Sequence, residues 1–86
     1  MPELCRFYGI IIRMYFMDHN PPHFHAEYQG QRAEFDIRTL ELIAGGLPSR
    51  AHALVLEWAA LHRQELLANW KLAVEGELPS PIDPLP

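Results

Sequence analysis

From Tyr8 to Phe16 the chain alternates. Ile10, Ile12, Met14 and Phe16 fall on one side of an extended segment, with Ile11, Arg13 and Tyr15 on the other. A period of two among β-branched and aromatic residues predicts a half-buried strand. Met17 to Pro22 reads as a loop, because Asn20-Pro21-Pro22 disfavours both a helix and a hydrogen-bonded ladder. His23 to Tyr28 and Gln31 to Asp36 are two further strands. Gln29-Gly30 between them has the length of a two-residue hairpin turn, with glycine supplying the positive φ.

That hairpin has a register that can be checked on paper. A two-residue turn sets Tyr28 opposite Gln31, Glu27 opposite Arg32, Ala26 opposite Ala33, His25 opposite Glu34, Phe24 opposite Phe35 and His23 opposite Asp36. One face is then wholly apolar, and the other pairs complementary charges throughout. A slip by one residue destroys this sorting.

After a turn near Arg38-Thr39, Leu40 to Ala44 reads as a fourth strand, ended by Gly45-Gly46. Leu47-Pro48-Ser49 opens a helix with Leu54, Val55, Trp58 and Leu61 as its buried stripe. Past His62 the apolar phase moves to Leu66, Leu67, Trp70, Ala73 and Val74. The shift predicts a kink or a second helix near Arg63, with Gly76 as the stop. The expected architecture is α+β. A four-stranded antiparallel sheet packs Ile10, Ile12, Met14, Phe24 and Phe35 against a helical C-terminal half in one domain of residues 1–77. Residues 78–86, with four prolines, form an extended tail whose Ile82 and Leu85 are its docking side chains.

Composition narrows the classes. The 86 residues carry a net charge of −4, split evenly: four arginines and six acids before Pro48, three basic residues and five acids from Pro48 onward. Non-specific nucleic-acid binding needs clustered Lys and Arg, so this balance argues against a general binder while leaving room for a local arginine groove. Apolar runs such as Ile10-Ile11-Ile12 are far too short to span a membrane, and Met-Pro-Glu-Leu-Cys-Arg lacks the plan of a secretion signal. Cys5 is the lone cysteine, which excludes an internal disulfide framework, fits a reducing compartment and gives no support to thiol redox chemistry. A cytoplasmic location is expected.

Arg6-Phe7-Tyr8-Gly9-Ile10, Met14-Tyr15-Phe16 and above all Asp18-His19-Asn20-Pro21-Pro22-His23-Phe24-His25 resemble a family of small bacterial proteins, the domain of unknown function 4160. Leu47-Pro48, Glu57-Trp58, Leu61-His62 and Asn69-Trp70 extend the resemblance over nearly the whole chain. Members of that family are often encoded beside a second small protein, in pairs that look like toxin–antitoxin modules. The resemblance therefore implies a protein partner from an adjacent gene. It implies no reaction and no catalytic residue.

The chemistry has to come from the histidines. In a strand, His23, His25 and Glu27 project from one face at about 6.6–6.8 Å between alternate residues. With His19 from the adjoining loop, His23 and His25 are candidate ligands for zinc or another transition metal, and Glu34 and Asp36 are further ligands or ring-orienting acceptors. A second reading is RNA cleavage by a toxin-like protein. There His23 or His25 is the acid/base, Arg13, Arg32 or Arg6 binds phosphate, Tyr15 assists, and Glu34 orients an imidazole. A third reading is a non-enzymatic interaction module whose exposed sheet edge, tail or histidine face binds the adjacent-gene product, or a second copy of the chain as a homodimer. Needing no activity at all is the plain reading in which His23 and His25 are the polar, solvated face of a hairpin, paired with Asp36 and Glu34. His62 reads as a packing or capping group, and Trp58 and Trp70 as core anchors.

Overall fold

The computed structural model describes residues 2–86. Five strands, among these residues, form one antiparallel sheet in sequential order: β1 (Glu3–Phe7), β2 (Ile10–Arg13), β3 (His23–Tyr28), β4 (Gln31–Asp36) and β5 (Leu42–Gly45). Two helices follow, α1 (Ser49–Leu61) and α2 (Arg63–Val74). The α+β class and the helix break at His62 match expectation. The strand count does not.

The extra strand is β1, and it was concealed for two reasons. Tyr8-Gly9 is a hairpin turn with φ of 50° and 81°, nearly the same as Gln29-Gly30 at 47° and 81°. Both are two-residue turns with positive φ at each centre, whose twist matches that of the flanking strands. The expected strand from Tyr8 to Phe16 therefore starts at Ile10 and ends at Arg13. Within β1 a bulge between Glu3 and Cys5 spaces the buried Leu4 and Phe7 three apart, so no period-2 pattern is visible there. The strand expected at Leu40–Ala44 shifts to Leu42–Gly45 for a related reason. Leu40 takes a positive φ of 62° in a turn that Asp36 stabilises by accepting the Arg38 and Thr39 backbone N–H groups.

The β3–β4 register is the expected one at every position, from Tyr28↔Gln31 to His23↔Asp36. Phe24 and Phe35 stack at 5.5 Å on its apolar face, and α1 lays Trp58 across them, 5.9 Å from Phe24 and 5.5 Å from Phe7. Ile10, Ile12, Met14, Ile37, Val55 and Leu66 complete the fully buried core. Leu61 and Val74, expected in the stripe, are exposed; each is the last residue of its helix. Residues after Gly76 lie extended over the core, with Ile82 and Leu85 buried. No described helix is long and apolar enough to cross a membrane.

Candidate metal centre

The face of the sheet opposite α1 carries Ile11, Arg13, His23, His25, Glu27, Arg32 and Glu34, as strand alternation requires. One end of this face is closed by the loop between β2 and β3. The loop is pinned to α2 by a hydrogen bond from the Met17 backbone N–H to the Ala73 carbonyl, 2.9 Å long. Asp18, the next residue, is thereby held over β3. Trp70 of α2 packs against the His23 ring, with centroids 5.2 Å apart. His23 is consequently only 4% exposed, which corrects the expectation of a solvated histidine face.

Asp18 is the residue that sequence reasoning missed as a site member. Its Oδ2 lies 3.0 Å from His23 Nε2 and 3.5 Å from His25 Nε2, and its Oδ1 accepts the His19 backbone N–H at 2.9 Å. The ligand atoms of Asp18, His23 and His25 lie within 4.8 Å of one another. A tetrahedral ion with bonds of about 2.1 Å separates its ligand atoms by about 3.4 Å, so the spacing is of the right scale. His19 stays outside the group. Its side chain is 94% exposed and reaches only the other carboxylate oxygen, at 3.3 Å. A signal for Asp18 was present: a carboxylate five residues before a histidine, across a proline pair that turns the chain back on itself.

The predicted second partners are rearranged. Glu34 is opposite His25 in register, yet its Oε1 approaches His23 Nε2, at 3.5 Å. Asp36 is opposite His23, but its carboxylate is committed to the turn after β4. Arg13, Tyr15, His25 and Arg32 do come together, lining a groove of about 300 Å³ beside the cluster. Tyr15 meets the His25 ring edge-on at 4.2 Å. Arg6 is held elsewhere, forked onto Glu3 at 2.7 and 2.9 Å.

Hydrogen bonding determines what the imidazoles can do. His23 Nδ1 lies 2.7 Å from the Pro21 carbonyl, an acceptor only, so Nδ1 must carry the proton. In a neutral ring Nε2 then presents a lone pair to the Asp18 carboxylate 3.0 Å away. Two acceptors at that distance repel unless something positive lies between them. His25 Nε2 is, among the described residues, a buried polar atom with no hydrogen-bond partner. Burial lowers the His25 pKa; the Glu34 and Asp18 carboxylates oppose the shift without cancelling it. Partial burial pushes the Asp18 carboxyl up, but the His19 N–H and the two imidazoles together hold it below the usual carboxylate range. The site is thus a carboxylate, the His23 Nε2 lone pair and the unpartnered His25 Nε2, gathered at one point.

A small α+β protein with two histidines of one strand and a loop aspartate converging on the outer face of its sheet is the class these observations define. The family model for the domain of unknown function DUF4160 matches residues 9–71, more than half the chain, and the chain belongs to that family. Comparison with curated proteins and with solved structures finds no match.

Proposed function

We propose that the protein binds a divalent transition metal, zinc foremost, through His23 Nε2, His25 Nε2 and Asp18 Oδ2. One observation carries this reading. A proton between His23 and Asp18 would relieve that pair and still leave the buried His25 Nε2 without a partner, whereas a metal ion satisfies all three atoms at once. The His23 Nδ1–H bond to the Pro21 carbonyl is the outer contact that metal-ligating histidines commonly make to fix tautomer and ring orientation. Because burial makes His25 a poorer proton acceptor, protons compete less for it than for a free imidazole. Three protein ligands leave a coordination position open, the pattern of a reactive rather than a closed structural site, and Glu34, whose Oε1 lies 3.5 Å from His23 Nε2, borders the group without joining it.

Calorimetric titration of chelator-stripped, tag-free protein with zinc tests the proposal. One equivalent should bind. Asp18→Asn should weaken affinity by at least the roughly 10–100-fold that loss of an outer partner costs, and His19→Ala should leave it unchanged. Affinity no tighter than about 1 mM for the unaltered protein sinks the reading.

A second reading is RNA cleavage by a toxin-like member of a two-protein module, with the adjacent-gene product as its partner. The groove that gathers Arg13, Tyr15, His25 and Arg32 favours it. The two readings compete for the same lone pairs, since a metal-bound imidazole cannot accept a proton. Metal stoichiometry therefore decides between them.

A further inference from the structure

Charges on the outer face of the sheet are sorted. One end gathers Asp18, Glu34 and the two imidazoles; Arg32 lies at the other, and Arg13, level with His25, leans toward the single acid there, Glu27. Arg32 faces Glu27 directly across β3 and β4, and Arg13 of β2 reaches it diagonally. Arg13 Nε lies 3.6 Å from Glu27 Oε1, and Arg32 Nε lies 3.4 Å from Oε2. Both separations exceed the roughly 3.2 Å at which an N–H···O bond is made. The contrast is with Arg6, whose guanidinium closes on Glu3 at 2.7 and 2.9 Å. Glu27 thus stands between two guanidinium forks, one oxygen toward each, ion-paired with both and hydrogen-bonded to neither.

We propose that the groove is a subsite for the phosphate group of a small phosphate monoester, and that Glu27 holds the place of that oxyanion between the two forks. Guanidinium forks match phosphate oxygens in geometry and retain their charge at any physiological pH. A monoester has three free phosphate oxygens. Two satisfy Arg13 and Arg32, and the third is left to face His25, which the groove shares with the metal cluster. A carboxylate ligand has only two oxygens and would leave nothing for that side. A volume of about 300 Å³ is at the small end of sites for organic ligands, so a compact ester fits better than a nucleic-acid strand. The inference deepens the metal reading by naming the ligand class of the adjoining site, while the two forks that hold the phosphate, Arg13 and Arg32, are not among the metal ligands.

The test is a titration of chelator-treated protein with inorganic phosphate and ribose 5-phosphate, with free ribose as control, followed by backbone amide NMR. Both phosphates should bind and shift residues of β2, β3 and β4; ribose should do neither. Arg13→Lys keeps the charge but loses the fork, and should weaken binding about 10-fold or more. Glu27→Gln keeps the shape but removes the competing charge, and should tighten binding several-fold. Circular dichroism of both variants establishes that each is folded. The proposal is overturned by absence of phosphate binding up to about 10 mM, by a folded Glu27→Gln protein that binds no better, or by a short RNA binding where the monoester does not. Because metal is excluded, a failed zinc titration would remove the metal centre and leave this result standing, and the converse also holds.

Discussion

Cys5 shows how much a single side chain's chemistry depends on where β1 places it. Half-burial pushes its thiol up to about 12, with the nearby Glu3 charge adding to the effect. The thiolate is the reactive form, so alkylation of the folded protein near pH 8 should run at least about 10²-fold slower than in denaturant. Equal rates would mean that the thiol is not desolvated. The folded-state value lies above the ordinary 9.0, so this group's contribution to stability is complete below about pH 9. It is lost as pH rises toward about 12. At the same scale, Asp18 and His19 exchange the importance that composition suggested. The histidine points into water, and the carboxylate beside it faces both imidazoles of β3.

Among the elements, β5 is the strand whose place depends most on one backbone position. All four of its residues are exposed, and it is held to β4 across a bulge between Glu34 and Phe35. Gly45 has a φ of 70°, and a Cβ there would lie 2.1 Å from the Arg32 carbonyl oxygen. Gly30 has a φ of 81° but open space around it. Gly30→Ala should therefore cost only the left-handed backbone penalty, about 1–2 kcal/mol. Gly45→Ala adds a backbone clash that no rotamer relieves, and should cost more than about 3 kcal/mol or detach β5. Urea denaturation of the two variants measures the difference, and equal midpoints would show that β5 yields freely. The β3–β4 hairpin is the opposite case. Its register follows from local facts alone, because a two-residue turn and a period of two leave one pairing that sorts every charge.

For the whole molecule, the segment after Gly76 closes the fold. Trp58 Nε1 donates to the Asp83 carbonyl at 2.8 Å, Asn69 exchanges two hydrogen bonds with the Ser80 backbone, and the Ile82 N–H donates to the Leu4 carbonyl on β1. Tyr8 hydroxyl reaches the Pro86 carbonyl at 2.6 Å. Burial of Ile82 and Leu85 contributes about 1.5–3 kcal/mol each, and truncation also leaves the buried Asn69 without its partners at about 1–3 kcal/mol. Against a total stability of about 5–15 kcal/mol, removing residues 77–86 should lower Tm by about 15 °C or more. A thermal melt of the truncated chain checks this, and an unchanged Tm would mean the anchors contribute nothing.

What the chain determined by itself is what short-range pattern encodes: the class, the hairpin register, the break at His62 and the concentration of histidines on one strand face. It also contained the Tyr8-Gly9 turn in the same form as Gln29-Gly30, but the bulge in β1 removed the alternation that would have given that turn a partner strand. Tertiary structure decided which residues join the two histidines. Asp18 reaches His23 and His25 because Met17 is tied to Ala73 at the far end of the helical region, and His23 is dry because Trp70 covers it. Those contacts join residues more than forty positions apart. No local period records them, since they depend on how α2 crosses the end of the sheet and not on the spacing of residues along any one element.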